Sequence, residues 1–123
     1  AGLTDKVLLI GRFSEAEKYT LYARALGIFF GPFDEDYGYI TLEAMLSGKP
    51  VITCTDSGGP LEFVRDGDTG YVCPPQPEAI AAAIDKLYAH KRQAIEMGRA
   101  GRESYHQHNI SWSQVVSSLL ADN

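Results

Sequence analysis

The sequence predicts an α/β domain built on a parallel sheet of about four strands flanked by helices. Three observations carry this. Short apolar runs recur at residues 6–11, 28–31, 51–54 and 71–73. Segments with helical spacing of apolar residues lie between and after them. Glycine, proline and aspartate punctuate the boundaries. Strands alternating with helices are joined by right-handed crossovers, which makes neighbouring strands parallel.

The first run, Lys6-Val7-Leu8-Leu9-Ile10-Gly11, is largely apolar and closed by glycine, as in a strand buried on both faces. Ser14 offers an N-cap, with Glu15 and Glu17 in the first turn, where the helix dipole favours acids. Tyr19, Tyr22, Ala23 and Leu26 fall on one apolar face, and Gly27 is the expected stop. Residues 28–31 read as the second strand. Residues 40–46 are a nearly apolar helix that ends near Ser47-Gly48, before a Lys49-Pro50 turn. Residues 51–54, Val-Ile-Thr-Cys, make a short β-branched strand. Residues 55–60 form a loop with two glycines, and Pro60 is placed to start a short helical piece over 61–64. Residues 66–70 are a turn cluster, and 71–73 are the last strand. Residues 78–89 predict an amphipathic helix with Ile80, Ile84, Leu87 and Tyr88 on one stripe. Residues 91–105 predict a more charged helix, weakened by Gly98 and Gly101. Ser111 is the expected cap of a final helix over 112–120, with Trp112 as its anchor.

The chemically distinctive stretch is residues 34–45, Asp-Glu-Asp-Tyr-Gly-Tyr-Ile-Thr-Leu-Glu-Ala-Met. A strand leads into an acidic, glycine-containing loop, and the loop leads into a helix. Unpaired amides at a helix start attract anions, and Gly38 lets the backbone approach a ligand. A phosphate or sugar hydroxyl fits against the amides of Tyr39, Ile40 and Thr41. Glu43 sits about one turn inside an otherwise apolar helix, so it needs hydrogen-bond donors. Ribose hydroxyls are one source. A nearby Lys, Arg or backbone amide is the other, with Glu35 then a solvated loop acid. In parallel sheets ligands bind outside the carboxyl ends of the strands. The loops at 11–14, 33–38, 55–59 and 74–75 are therefore expected on one rim.

The chain has 123 residues, enough for one domain with a sizeable core. Its net charge of −5 argues against non-specific binding to nucleic acid or an anionic membrane. No apolar run approaches the ~20 residues of a membrane span, and no signal-peptide pattern opens the chain. Cys54 and Cys73 each close an apolar run and read as small buried hydrophobes. Without a second pair they suggest neither a disulfide scaffold nor a metal site, and the expected setting is cytoplasmic. His90, His106 and His108 lie in the polar carboxyl-terminal part, where surface or capping roles are expected. Lys86, Lys91, Arg92 and Arg99 read as a solvated face.

The ordered set of motifs resembles the carboxyl-terminal domain of retaining glycosyltransferases of family 4 (group 1), which have the two-domain GT-B architecture with Rossmann-like halves. The resemblance is carried by Phe33-Asp34-Glu35-Asp36-Tyr37-Gly38, Thr41-Leu42-Glu43-Ala44-Met45 and Gly48-Lys49-Pro50-Val51-Ile52. Gly58-Gly59-Pro60-Leu61-Glu62, Asp66-Gly67 with Gly70, and Pro74 follow at the family's spacing. Met97-Gly98 and Ser111-Trp112 match its closing segment. The match spans nearly the whole chain.

The resemblance implies a domain that holds a nucleotide-diphosphate sugar as substrate, with no cofactor and no metal despite the acids at 34–36. Glu35 is implied as the catalytic residue that contacts the transferred sugar and stabilises charge without forming a covalent bond. Glu43 is implied as the ribose ligand. Amides of Gly38, Tyr39 and Ile40 line the sugar and diphosphate. Phe13 main chain borders the base, with Lys18 a further candidate there. Two departures stand out. Asp36 replaces the small residue or proline of many members. The diphosphate-binding Arg and Lys of the family come from a segment upstream of residue 1, and the position of Arg12 matches the base-side loop instead. The expectation is therefore a fragment of a longer enzyme, inactive alone, that meets its acceptor through an amino-terminal domain. Peripheral membrane association of the full-length enzyme is a further expectation. Two other readings compete. One is a non-catalytic nucleotide- or nucleotide-sugar-binding module. The other is a phosphoacceptor receiver-like domain, disfavoured because Gly11-Arg12 stands where that fold needs acids.

Overall fold

A computed structural model describes residues 14–34 and 39–121, with side chains described for 14–34 and 40–107. The elements run α1 (Glu15–Arg24), β1 (Ile28–Phe29), α2 (Tyr39–Leu46), β2 (Val51–Cys54), a 3-10 turn (Gly59–Glu62), β3 (Gly70–Cys73), α3 (Pro77–Ala89) and α4 (Lys91–Ala121). Among the described residues three strands form one parallel sheet in the order β1-β2-β3, with Ile28 opposite Val51, and Val51 opposite Gly70. The α/β class with a parallel sheet is as the sequence predicts. The strand expected at residues 6–11 lies outside the described residues.

Period-two alternation along β2 explains the two layers of core. Ile52 and Cys54 face one side, where they meet Ala83 and Leu87 of α3 and Ala94 and Met97 of α4. Val51 faces the other side and packs with Ala44 and Met45 of α2 and with Val64. All four β2 residues are buried, as a central strand of a parallel sheet requires. Cys54 and Cys73 are buried, free and in register on adjacent strands. Burial pushes the Cys54 thiol up, and the neighbouring Cys73 adds to the shift.

α2 ends in a Schellman arrangement: the Gly48 amide donates to Met45 O and the Lys49 amide to Ala44 O, both at 3.0 Å. Gly48 has φ +73°, which glycine adopts without strain. The stop read from Ser47-Gly48 is thus confirmed, with its mechanism.

Several expectations are corrected. The helices expected at 91–105 and 112–120 are one continuous helix, α4, so Ser111 is an interior residue and not a cap. No proline interrupts residues 91–121, and Gly98 and Gly101 are retained by packing against α2 and its cap. The Trp112 side chain lies outside the described residues. α1 ends at Arg24, three residues before Gly27, with the Ala25 amide donating to Leu21 O and Tyr22 O. Tyr19 is exposed, so the apolar face of α1 narrows to Tyr22. On α3 the buried stripe is Ala83 and Leu87. Ile84 and Tyr88 instead line an apolar groove of about 250 Å³ beside β1. Among the described residues β1 is two residues long, and the groove is lined by Ile28 and Phe29 of that strand together with Ile84 and Tyr88. The piece expected at 61–64 is a 3-10 turn displaced two residues earlier. His90 and His106 are exposed, as are Lys86, Lys91, Arg92 and Arg99.

Candidate functional site

The loops at the carboxyl ends of the strands are tied to one another. The Asp34 amide, after β1, donates to Asp56 O after β2 at 2.8 Å, and the Thr55 amide donates to Cys73 O at the end of β3 at 3.0 Å. Asp34 has φ +48°, a left-handed conformation that aspartate tolerates better than most residues. The loop after β2 is shaped from inside: Thr53 Oγ1 donates to Ser57 Oγ at 2.9 Å, and Ser57 Oγ donates to Cys54 O at 2.7 Å. The expected common rim is thus present for the loops that follow β1, β2 and β3.

On this rim the amino-terminal end of α2 lies beside α1. Ser14 caps α1, its Oγ accepting from the Glu17 amide at 3.2 Å. This cap fixes where α1 starts and so which residues share its faces. Lys18 and Tyr22 are four apart and lie one turn above the other. Both reach Glu43 of α2. Lys18 Nζ donates to Glu43 Oε1 at 3.1 Å, and Tyr22 OH donates to Glu43 Oε2 at 3.0 Å. Lys18 Nζ also donates to Glu15 Oε1 at 3.1 Å. The Glu43 side chain keeps 26% of its surface exposed, so it sits at the lip and not in the core.

Each group in this cluster responds to the others. Hydrogen bonds from its ammonium to Glu43 and then to Glu15 hold Lys18 well above its usual range. The Tyr22 hydroxyl is pushed up to about 12, first by burial and then by its hydrogen bond to Glu43. A raised tyrosine value means that folding favours the neutral phenol. That contribution is fully present below the reference value of 10 and fades as pH rises through 12. The stability difference between wild type and Tyr22→Phe should therefore narrow across pH 10–12 in urea melts. A difference that stays constant over that interval would show that Tyr22 donates no such bond.

Of the site residues read from the sequence, the structure brings Lys18 and Glu43 into direct contact. Tyr39 and Ile40 form the start of α2, and Ile40 is exposed. Glu35, Gly38 and Phe13 lie outside the described residues. The donors that Glu43 finds in this structure are a lysine, one of the partners anticipated, and a tyrosine, which was not among them. Tyr22, placed by its spacing on the apolar face of α1, is buried there and in addition donates to Glu43, a role its spacing does not show. The four-residue spacing puts Lys18 and Tyr22 on one face of α1, and only the structure shows that this face meets Glu43. Thr41, in the first turn of α2, is wholly buried, and its hydroxyl has no hydrogen-bond partner among the described residues.

Residues 1–104 match the family described as "Glycosyl transferases group 1". The α-1,3/1,6-mannosyltransferase ALG2 of Dictyostelium discoideum is 35% identical over 102 residues, which are 83% of this chain and 24% of that protein. The human ALG2 is 35% identical over 100 residues, 81% of this chain and 24% of that protein. Among solved structures, a sucrose-phosphate synthase from Thermosynechococcus elongatus superposes with a TM-score of 0.79 at 29% identity, over 98% of this chain and 32% of that one. HepE of Anabaena, solved with UDP and glucose, gives a TM-score of 0.79 at 22% identity, over 99% of this chain and 34% of that one. The chain spans about a quarter of the length of these curated relatives.

Proposed function

Because this chain belongs to the group 1 glycosyl transferases, we propose that it is the carboxyl-terminal, donor-binding domain of a retaining glycosyltransferase with GT-B architecture. The observation that carries the proposal is the Glu43 carboxylate at the lip of α2, held in place and partly exposed on the rim where α/β sheets bind ligands. The substrate is a nucleotide-diphosphate sugar, and the uridine nucleotides bound by HepE support that class of donor.

In this proposal Glu43 accepts hydrogen bonds from the ribose hydroxyls. The start of α2, at Tyr39 and Ile40 with Gly38 before it, presents amides to the diphosphate and the sugar. Lys18 stands beside the nucleotide as the cation on Glu43, and Phe13 borders the base. Glu35 lies eight residues before Glu43 and stabilises positive charge on the sugar as the glycosidic bond breaks. The acceptor hydroxyl attacks from the face that the diphosphate leaves. Its oxygen bonds to the anomeric carbon, the diphosphate takes the bond's electron pair, and a diphosphate oxygen takes the hydroxyl proton. Retention of configuration follows from that common face. The domain supplies half of the cleft, so it is inactive without the rest of its chain and meets its acceptor there. A cytoplasmic setting and peripheral membrane contact belong to the same proposal.

The test uses the full-length protein. UDP-, GDP- and ADP-sugars are titrated by calorimetry, and the anomeric configuration of the product from an α-linked donor is read by NMR. Saturable binding of one donor series and an α-linked product are expected. No binding in any series overturns the donor assignment, and a β-linked product overturns retention.

A further inference from the structure

We propose that Tyr22 is a positioning residue for the nucleotide site: its hydroxyl holds Glu43 Oε2 so that the other carboxylate oxygen and the free lone pairs face the ribose. The inference rests on the assignment of Glu43 to the ribose.

A carboxylate offers about four acceptor positions. Tyr22 OH occupies one on Oε2 at 3.0 Å. Lys18 Nζ occupies one on Oε1 at 3.1 Å. These two donors differ in how firmly they are held. Tyr22 is 8% exposed and swings on only two side-chain torsions, so its hydroxyl is fixed by the packing of α1. Lys18 has a flexible four-carbon stem and a second acceptor in Glu15, itself exposed. An arriving diol can displace the ammonium onto Glu15 without breaking into the core. It cannot displace the tyrosine in that way. Tyr22 therefore determines the plane and rotamer in which Glu43 waits, and Lys18 is the partner that yields. A site whose acceptor is already oriented loses less conformational freedom on binding.

The experiment separates orientation from mere packing. Each nucleoside diphosphate (UDP, GDP, ADP) and its 2′,3′-dideoxy counterpart are titrated into the full-length protein. The quantity read is the ratio of dideoxy to ribo Kd for the series that binds. Hydrogen bonds from a diol to a carboxylate make this ratio about 10–100 in wild type. Glu43→Ala should bring it close to one. Tyr22→Phe keeps the buried ring and removes one oxygen. It should cut the ratio by about tenfold while the dideoxy Kd stays within about twofold of wild type. Purely structural damage would weaken both ligands equally and leave the ratio intact. A wild-type ratio near one sinks the ribose assignment itself. A normal wild-type ratio that Tyr22→Phe does not alter sinks the positioning inference alone. Should Tyr22→Phe not fold, 3-fluorotyrosine at position 22 replaces it. Its fluorine signal should then shift on adding the ribo ligand and hold still with the dideoxy one, and equal responses overturn the inference.

Discussion

Gly98→Ala is expected to destabilise the protein by about 3 kcal/mol, lowering its melting temperature by roughly 10 °C. The expectation runs against helix propensity, which favours alanine over glycine by about 1 kcal/mol in a helix interior. Gly98 lies inside α4, where the helix presses on the turn that ends α2. A Cβ there would overlap the Gly48 carbonyl and stand 3.2 Å from Lys49 Cα. Both obstacles are backbone, and that backbone is locked by the two hydrogen bonds of the Schellman turn. Neither can rotate away, so α4 has to lift from α2. Lifting it also loosens Met45, which is almost completely buried between them. Gly101, one turn further on the same helix, is the internal control. Its Cβ would meet Met45 Cγ at 3.6 Å and Thr69 Cβ at 3.8 Å, ordinary van der Waals contact. Gly101→Ala should therefore stabilise by about 0.5–1 kcal/mol. Thermal melts followed by circular dichroism decide the matter. Two substitutions of the same sign would show that propensity, and not the contact with Gly48, governs α4.

Glu43→Ala is expected to weaken nucleotide binding by about 10–100-fold, the loss of hydrogen bonds to a charged acceptor. It also leaves the part-buried Tyr22 hydroxyl without its acceptor, which costs about 1 kcal/mol of stability. Calorimetry well below the melting temperature separates the two effects. Glu35→Ala, by contrast, should leave affinity for the free nucleoside diphosphate within about twofold and remove the preference for the sugar-bearing form. The contrast matters because each carboxylate is assigned to a different part of one donor. If both substitutions leave binding unchanged, Glu43 is a structural acid that joins α1 to α2 and nothing more.

The same two residues show how the site is divided between levels of information. That Glu43 would need donors was legible from one acid in the run Ile40, Leu42, Ala44, Met45, Leu46. Which donors it finds was not, because Lys18 and Tyr22 belong to another helix more than 20 residues earlier. The spacing rule places 18 above 22 on one face of α1. It does not say what stands opposite that face. The α3 stripe failed for a related reason. Ile84 and Tyr88 have the right period for burial, but they line an open groove beside β1.

Helix starts, helix stops and strand positions followed from local chemistry where the local signal was strong. Ser14 accepts a first-turn amide, Gly48 adopts a positive φ, and Val51–Cys54 is a strand with every residue buried. These features depend on a few neighbouring residues, so the sequence alone determined them, together with the α/β class and the family. The union of α4 into one helix, the seating of Gly98 on Gly48 and the capture of Glu43 by Tyr22 were decided only by tertiary structure. Each depends on the distance between elements far apart in the chain, and residue spacing along one element carries no information about that distance.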